Sequence, residues 1–255
     1  MNVMYALISV LVVSLVSIVF AIPFLLKKKI SSKVLLFLLS FSVGVLLSTV
    51  FMNFLPEVME HSHGIGASLF ILSGFLVMFI LEKFIHSHHQ KKCEKNGCGH
   101  SHAYHLAPIN LIGDAVHNFI DGLVIAGAYA VNVTLGVAAT ISIIFHEIPQ
   151  EIADFGVLIY SGMSRKKALL FNVMSAVTAI IGTVIGILLI DKLHGFIDFI
   201  IPFAAGNFIY IAASNLVPQL HRHCKLKDTI LHIFAIVLGV ALVALITVYG
   251  PVHVH

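Results

Sequence analysis

The sequence predicts an all-α integral membrane protein with eight transmembrane helices. Its composition is 59% hydrophobic and 11% charged, with a mean hydropathy of +1.02, whereas soluble proteins carry roughly 25% charged residues. Eight apolar stretches each have about the twenty residues that cross roughly 30 Å of hydrocarbon. Nearly all the basic residues fall between these stretches.

The eight stretches give the predicted helices in chain order. They lie at residues 3–25, 34–55, 65–82, 107–130, 135–160, 168–190, 196–217 and 229–249. The first has the length of a span and lacks a cationic leader and a small-residue cleavage site, so we interpret it as a retained helix. We expect residues 1–255 to form a single polytopic membrane domain.

The basic residues predict the orientation of these helices. Fourteen of the fifteen Lys and Arg residues lie in odd-numbered connections, and only Lys192 lies in an even one. By the positive-inside rule the odd connections face the cytoplasm and both termini lie outside. The net charge of +3 follows from this topology, so no nucleic-acid partner is predicted. All three cysteines fall on the cytoplasmic side, where thiols stay reduced.

A short motif recurs in the second and seventh spans at an offset of 162 residues. The two copies are Gly44-x8-Asn53-x-x-Pro56-Glu57 and Gly206-x8-Asn215-x-x-Pro218-Gln219. Because the two spans run in opposite directions, the match predicts an inverted repeat of spans one to three and six to eight around spans four and five. Transporters recurrently have this architecture, with binding groups near the midplane. A chance match of Gly and Pro is the alternative.

The fourth and fifth spans each carry a polar face. On an α-helix the first face holds Asn110, Asp114, His117, Asn118 and Asp121, and the second holds His146, Glu147, Gln150, Glu151 and Asp154. Residues 106–160 contain no Lys or Arg that could neutralise these carboxylates. An ionised group at this depth costs roughly 2.5–3.5 kcal/mol even on a mild insertion scale. The pattern therefore predicts a bound divalent cation.

Further polar residues extend this site toward both surfaces. Asn110, Asp114 and Asp154 lie on the cytoplasmic side of it, and Asn53 and Glu57 lie at the outer end of span two. We predict that all five line a pathway for the cation. For the asparagines the alternative is hydrogen bonding between helices, and for Glu57 it is a solvated charge at the membrane rim.

Pro149 lies within the polar face of span five. It has no N–H to donate to the carbonyl of Phe145, so the sequence predicts a bend in this helix and a free carbonyl facing the ion or a water. Simple tolerance of proline in a membrane helix is the alternative.

The connection between spans three and four, residues 83–106, is rich in metal-binding side chains. Imidazole and thiolate are ligands of zinc and related metals, and a flexible tract of them indicates a cytosolic metal-collecting or metal-sensing segment. The Cys spacing is not that of a folded zinc module. The candidate ligands are His86, His88, His89, Cys93, Cys98, His100, His102 and His105.

The polar motifs resemble those of a known family. His117-Asn118-Phe119-x-Asp121-Gly122 followed by His146-Glu147-x-Pro149-Gln150-Glu151 is similar to the paired signatures of the ZIP (Zrt-, Irt-like protein) divalent-metal transporters. Eight spans, outside termini and a His-rich third connection extend the resemblance over the whole chain. It implies transport of zinc into the cytoplasm rather than an enzymatic reaction. It also implies a homodimer with an elevator-like motion, and we expect a location in the plasma (inner) membrane.

The expected ligands follow from this resemblance together with the residue types. We expect His117, Asp121, His146 and Gln150 to form the primary site, and Asn118, Glu147 and Glu151 an adjoining one. Mixed nitrogen and oxygen ligands suit Zn²⁺ and also admit Fe²⁺, Mn²⁺, Co²⁺ or Cd²⁺. No catalytic cofactor is expected. The chain departs from many members in having Gln150, Ala153, Asn53 and Gln219, and in lacking a carboxylate between Asn172 and Ile190.

Two other functions fit parts of the sequence. An intramembrane zinc metalloprotease is suggested because His146-Glu147 begins an H-E-x-x-H motif, although Gln150 replaces its second His and Pro149 lies inside it. A metal-sensing membrane protein without flux would instead bind metal tightly at residues 86–105.

Overall fold

The structure is a computed structural model that describes residues 2–25, 32–61, 65–96, 106–160, 163–192, 195–221 and 226–249. The elements in these ranges are helices, and eight spans are long and apolar enough to cross a membrane. This confirms the predicted fold class.

The eight spans comprise ten α-helices and two π-helical segments among the described residues. Spans one, three, four, five, six and eight are single helices: α1 (Val3–Leu25), α4 (Ile65–Asn96), α5 (Leu106–Val131), α6 (Val133–Tyr160), α7 (Arg165–Lys192) and α10 (Leu226–Tyr249). Span two consists of α2 (Ser32–Thr49), π1 (Val50–Phe54) and α3 (Leu55–His61). Span seven consists of α8 (Phe196–Tyr210), π2 (Ile211–Leu216) and α9 (Val217–Leu220).

Span three is longer than the apolar stretch that predicts it. Its helix continues past residue 82 to Asn96, so the first part of the predicted His-rich loop, including the Cys93 position, is helical. The residues from 83 to 96 contain no Gly or Pro, and Lys, Glu and Gln among them are good helix formers. Cys98, His100, His102 and His105 lie outside the described residues.

The π-helical segments stand at equivalent places in the two copies of the repeated motif. In span two the N–H of Leu55 bonds to the carbonyl of Val50, directly before Pro56. In span seven the N–H of Val217 bonds to the carbonyl of Ala212, directly before Pro218. Both bonds reach back five residues and lie 162 positions apart. A π turn relieves the crowding that proline imposes on the preceding turn, so the two copies share backbone structure as well as spacing.

Glycine contacts repeat in the same way. A Cβ at Gly44 of span two would collide with the carbonyl of Ile236 in span eight, and one at Gly206 of span seven would collide with the carbonyl of Ile71 in span three. Small residues permit this close approach of helix backbones in membranes. Span two therefore packs on span eight as span seven packs on span three, as an inverted repeat requires.

Hydrogen bonds from hydroxyl groups join spans one, four and six. Thr183 Oγ1 donates to the carbonyl of Gly122 at 3.0 Å, and Thr178 Oγ1 to that of Ala115 at 2.7 Å. Ser9 Oγ lies 2.8 Å from the hydroxyl oxygen of Tyr129. These bonds hold span four, which carries half of the polar site, against its neighbours.

Candidate metal centre

The polar faces of spans four and five meet near the middle of both helices. His117 and Asp121 from α5 and His146 and Glu147 from α6 are each at most 3% exposed. One ligand atom from each of the four lies within 4.8 Å of the others. We name these four residues the mixed group, because it combines nitrogen and oxygen donors.

The donor atoms of the mixed group are closely and evenly spaced. His146 Nε2 lies 3.1 Å from His117 Nε2 and 3.0 Å from Asp121 Oδ2. His117 Nε2 lies 3.7 Å from Asp121 Oδ2. Glu147 Oε1 is 3.5 Å from His117 Nε2 and 3.7 Å from His146 Nε2. Ligands 2.0–2.1 Å from a tetrahedral zinc ion are about 3.3 Å apart, so these separations fit one.

The protonation of His146 follows from its backbone partner. Its Nδ1 lies 3.0 Å from the carbonyl oxygen of Ser142, one turn earlier in α6, and a carbonyl can only accept. Nδ1 therefore carries the hydrogen, and in the neutral ring Nε2 presents a lone pair to His117 and Asp121. A hydrogen bond at the far nitrogen that fixes the tautomer is typical of metal-binding histidines.

Several buried oxygen atoms of the site have no hydrogen-bond partner within the described part of the chain. They are Asp121 Oδ1, both carboxylate oxygens of Glu147, Asp114 Oδ2 and Glu151 Oε1. Buried polar atoms are normally satisfied, and unpaired buried acceptors cost free energy. Converging lone pairs without donors are the arrangement that a cation would complete.

A second cluster lies one helical turn closer to the predicted cytoplasmic side. Asp114, Glu147 and Glu151 are buried, and their carboxylate oxygens lie within 4.8 Å of one another. We name this the carboxylate group, and it shares Glu147 with the mixed group. All its donors are oxygens, which suit harder cations than imidazole does.

Amide side chains surround the carboxylate group. Asn118 Nδ2 donates to Asp114 Oδ1 at 2.9 Å, and Gln150 Nε2 donates to the same oxygen at 3.4 Å. Asn172 Nδ2 of span six donates to Glu151 Oε2. Asn118 and Gln150, expected as ligands, thus contact Asp114, while Glu147, expected in the adjoining site, lies within the mixed group.

The predicted pathway residues are placed at several depths. Asn53 is buried in π1, where its Oδ1 accepts a hydrogen bond from Thr247 Oγ1 of span eight at 3.2 Å. Glu57 in α3 and Asp154 in α6 are partly exposed. The backbone of Asn110 lies in α5, but its side chain is outside the description. A role in transport for these four residues stays a prediction.

The Phe145 carbonyl corrects one expectation. Instead of facing an ion or a water, it accepts a hydrogen bond from Ser42 Oγ of span two. Ser42 and Asn172 were missed from the sequence because each meets its partner from a distant span. The sequence does show that Pro149 has no N–H, so the Phe145 carbonyl needs another hydrogen-bond donor. It does not show which helix supplies that donor.

Aromatic rings cover the mixed group on the side of span seven. The ring of Phe208 lies 5.7 Å from the imidazole of His146 and 5.4 Å from the ring of Phe54, measured between centroids. Phe54 and Phe208 are fully buried. These rings exclude water from one side of the donor atoms, which strengthens electrostatic attraction for a cation.

Sequence comparison identifies the family. Residues 2–109 and 89–247 match the family described as ZIP Zinc transporter, and together these stretches cover nearly the whole chain. The chain belongs to the ZIP zinc transporter family. This confirms the resemblance carried by the His117 and His146 motifs.

Relatives within the family differ in length from this chain. Zinc transporter zipt-7.2 of Caenorhabditis elegans is 39% identical over 148 residues, which are 56% of this chain and 32% of the relative. The Zinc transporter ZIP13 homolog of Drosophila melanogaster is 29% identical over 280 residues, covering 85% of this chain and 78% of the relative. Zinc transporter SLC39A7 of Mus musculus is 25% identical, covering 82% and 62%. The chain thus spans about a third of the length of the first relative.

Proposed function

We propose that the chain transports zinc into the cytoplasm through the mixed group. The observation that carries this proposal is the set of four buried donor atoms from spans four and five, spaced 3.0–3.7 Å apart in the measured pairs. The relatives described above are all named zinc transporters, which supports zinc as the cargo. The donor set also admits Fe²⁺, Mn²⁺, Co²⁺ and Cd²⁺.

The position of the donors supports transport over static binding. His117 and His146 lie near the centres of two helices that are long enough to cross a membrane. The carboxylate group follows one turn closer to the predicted cytoplasmic side, and Asp154 lies beyond it. A cation released from the mixed group would meet oxygen ligands along this side, which favours exit into the cytoplasm.

The alternatives are less well supported. Family membership argues against a metalloprotease, and Gln150 donates its amide to Asp114 where such an enzyme would have a second histidine ligand. A sensor without flux has no need of buried ligands at the middle of two spans.

We propose a location in the plasma (inner) membrane. The homodimer and the elevator-like motion remain predictions of the family resemblance.

Radioactive zinc uptake into proteoliposomes tests the proposal. We expect saturable accumulation above that of protein-free vesicles, resistant to an external chelator and released by a zinc ionophore, because the metal has crossed the bilayer. Binding of zinc to the purified protein without accumulation would favour the sensor and overturn the proposal. Zinc-dependent cleavage of a membrane substrate without uptake would favour the protease.

The direction of transport needs a separate measurement. In cells that express the chain, the fluorescence of a cytosolic zinc indicator should increase when zinc is added to the medium. A fall of the cytosolic signal with metal appearing outside would contradict the proposed direction.

A further inference from the structure

We propose that Ser42 is a positioning residue for transport, and that its hydroxyl replaces the backbone donor that Pro149 removes from span five. The inference rests on the proposed function of the mixed group. The Ser42 hydroxyl bonds backbone carbonyls. It acts through the turn of α6 that begins at Phe145 and presents His146 and Glu147 to span four.

The sequence creates a gap in the hydrogen bonds of span five. In an α-helix the carbonyl of residue 145 accepts from the N–H of residue 149, and Pro149 has none. The carbonyl belongs to the residue directly before His146. A buried carbonyl without a donor is costly in a membrane, where no water can replace the bond.

Ser42 supplies a donor at this point. It is fully buried in α2, and its Oγ hydrogen-bonds the carbonyl oxygen of Phe145. The same Oγ lies 2.8 Å from the carbonyl of Leu38, one turn earlier in its own helix. A serine has one hydroxyl hydrogen. The Leu38 carbonyl already receives the helical N–H of residue 42, so the Phe145 carbonyl is the acceptor that needs it.

Further contacts between spans two and five lie close to the Ser42–Phe145 hydrogen bond. The ring of Phe41 meets the ring of Phe145 edge to face, with centroids 4.5 Å apart. Thr49 Oγ1 lies 2.6 Å from Ser142 Oγ, and Ser142 supplies the carbonyl that fixes the tautomer of His146. Span two therefore contacts α6 at Ser142 and Phe145, directly before His146.

The consequence for metal binding follows from the geometry. Zinc–nitrogen bonds of 2.0–2.1 Å tolerate small displacements only, and His146 Nε2 stands 3.0–3.1 Å from two other donor atoms. Loss of the Ser42 bond would free the turn to rotate and would move His146 and Glu147 together. The apparent affinity for zinc then falls, although every ligand is still present.

A double-mutant cycle tests this inference. Ser42→Ala is expected to raise the KM of zinc uptake about five- to tenfold, with the maximal rate per folded molecule changing less. In a Pro149→Ala background, residue 149 again has an N–H for the Phe145 carbonyl. There we expect Ser42→Ala to change the KM less than about twofold. Ser48→Ala is the matched control, because among the described residues the Ser48 hydroxyl bonds to carbonyls of its own helix, Gly44 and Val45.

The outcomes separate this inference from the proposed function. A wild-type KM in Ser42→Ala, or the same rise in both backgrounds, would overturn the role of Ser42 while uptake by the wild-type protein still supports transport. If Ser42→Ala fails to fold, Pro149→Ala should restore folding, and failure to do so also overturns the inference. Zinc binding to purified protein, measured by equilibrium dialysis, should show the same non-additive pattern as the KM.

Discussion

The mixed group and the carboxylate group are neighbours that differ in how far the protein itself satisfies their donor atoms. In the mixed group Nε2 of both imidazoles converges on carboxylates, and both oxygens of Glu147 lack a partner among the described residues. In the carboxylate group, Asp114 receives two amides and Glu151 receives one. Asp114 and Glu151 thus each keep one oxygen without a hydrogen-bond partner, whereas Glu147 keeps both.

This difference suggests a division of roles. A cation entering the mixed group meets both unpaired oxygens of Glu147. In the carboxylate group, amide hydrogen bonds already occupy one oxygen of Asp114 and one of Glu151. We expect the first to bind zinc more tightly and the second to hold it briefly before release. Glu147 belongs to both and links them.

The largest effect should come from removing a ligand of the mixed group. His117→Ala or Asp121→Ala is expected to reduce saturable zinc uptake at least about 100-fold, because no neighbour replaces the lost donor. His232→Ala is the matched control: His232 is also a buried histidine, but it bonds Ser40 between spans two and eight. Uptake should be measured at equal protein per vesicle. Wild-type rates in either ligand variant would refute the assignment of the site.

Lowering the pH should weaken zinc binding at the mixed group, because that group contains histidine and the carboxylate group does not. A ligand imidazole must be neutral, and the ordinary pKa of histidine is about 6.5, so protonation competes with zinc below that pH. We expect the KM of uptake to rise below pH 6.5 by up to about tenfold per pH unit for each of the two imidazoles, and the rate to recover at saturating zinc. Uptake measured from pH 5 to 8 at several zinc concentrations checks this. A KM independent of pH would exclude imidazole ligation.

A change confined to the carboxylate group should have a different kinetic signature. Glu151→Gln keeps the shape and the Asn172 neighbour but replaces a carboxyl group on the exit side with a neutral amide. We expect the maximal rate to fall about tenfold with the KM changed less than about threefold, because release is slowed more than binding. Glu147→Gln should change both quantities. Equal effects of the two substitutions would show that the two clusters act as one site.

Substitution of Gln150 tests whether residue 150 belongs to the ligand shell of either group. We expect Gln150→His to raise the preference for Zn²⁺ over Mn²⁺ about fivefold, because an added imidazole favours borderline metals over harder ones. Competition uptake with both metals measures the ratio. Gln150→Asn is the control, since it keeps a neutral amide. An unchanged ratio would place residue 150 outside the ligand shell of either group.

The smallest effect is expected from the His-rich connection. Replacing all six His and both Cys between residues 86 and 105 should leave the KM and maximal rate within about threefold of wild type, since the ligands of the two groups come from spans four and five. A loss comparable to His117→Ala would show that the connection is part of the pathway. The same variant should bind fewer zinc ions per chain in equilibrium dialysis.

The sequence predicts the architecture well because one physical requirement dominates it. Hydrocarbon demands about twenty apolar residues per helix, and the observed spans agree with the predicted stretches to within a few residues at most ends. Helical periodicity alone also brings His117 and Asp121 together, as residues four apart on α5. The largest difference is at the end of span three, where charged residues from 83 to 96 extend the helix beyond its apolar part. Span two also ends later than predicted, at His61.

Contacts between distant spans are what the sequence could not provide. Glu147 rather than Gln150 lies next to His117 because of the rotation of α6 about its own axis relative to α5. Helical periodicity alone does not determine that rotation. Ser42 bonds a residue 103 positions away, and Asn172 bonds Glu151 from a span with no predicted part in the site. The proline of each repeated motif was visible, but the π turn before it was not.

The lack of Lys and Arg in residues 106–160 also has an electrical consequence. Moving one elementary charge through a membrane potential of 100 mV involves about 2.3 kcal/mol. When Asp121 and Glu147 are ionised and no cation is bound, the mixed group carries two negative charges. Neither helix has a Lys or Arg to neutralise them. A divalent cation cancels those two charges. In that ionised state, membrane voltage would act more strongly on the empty site than on the loaded one.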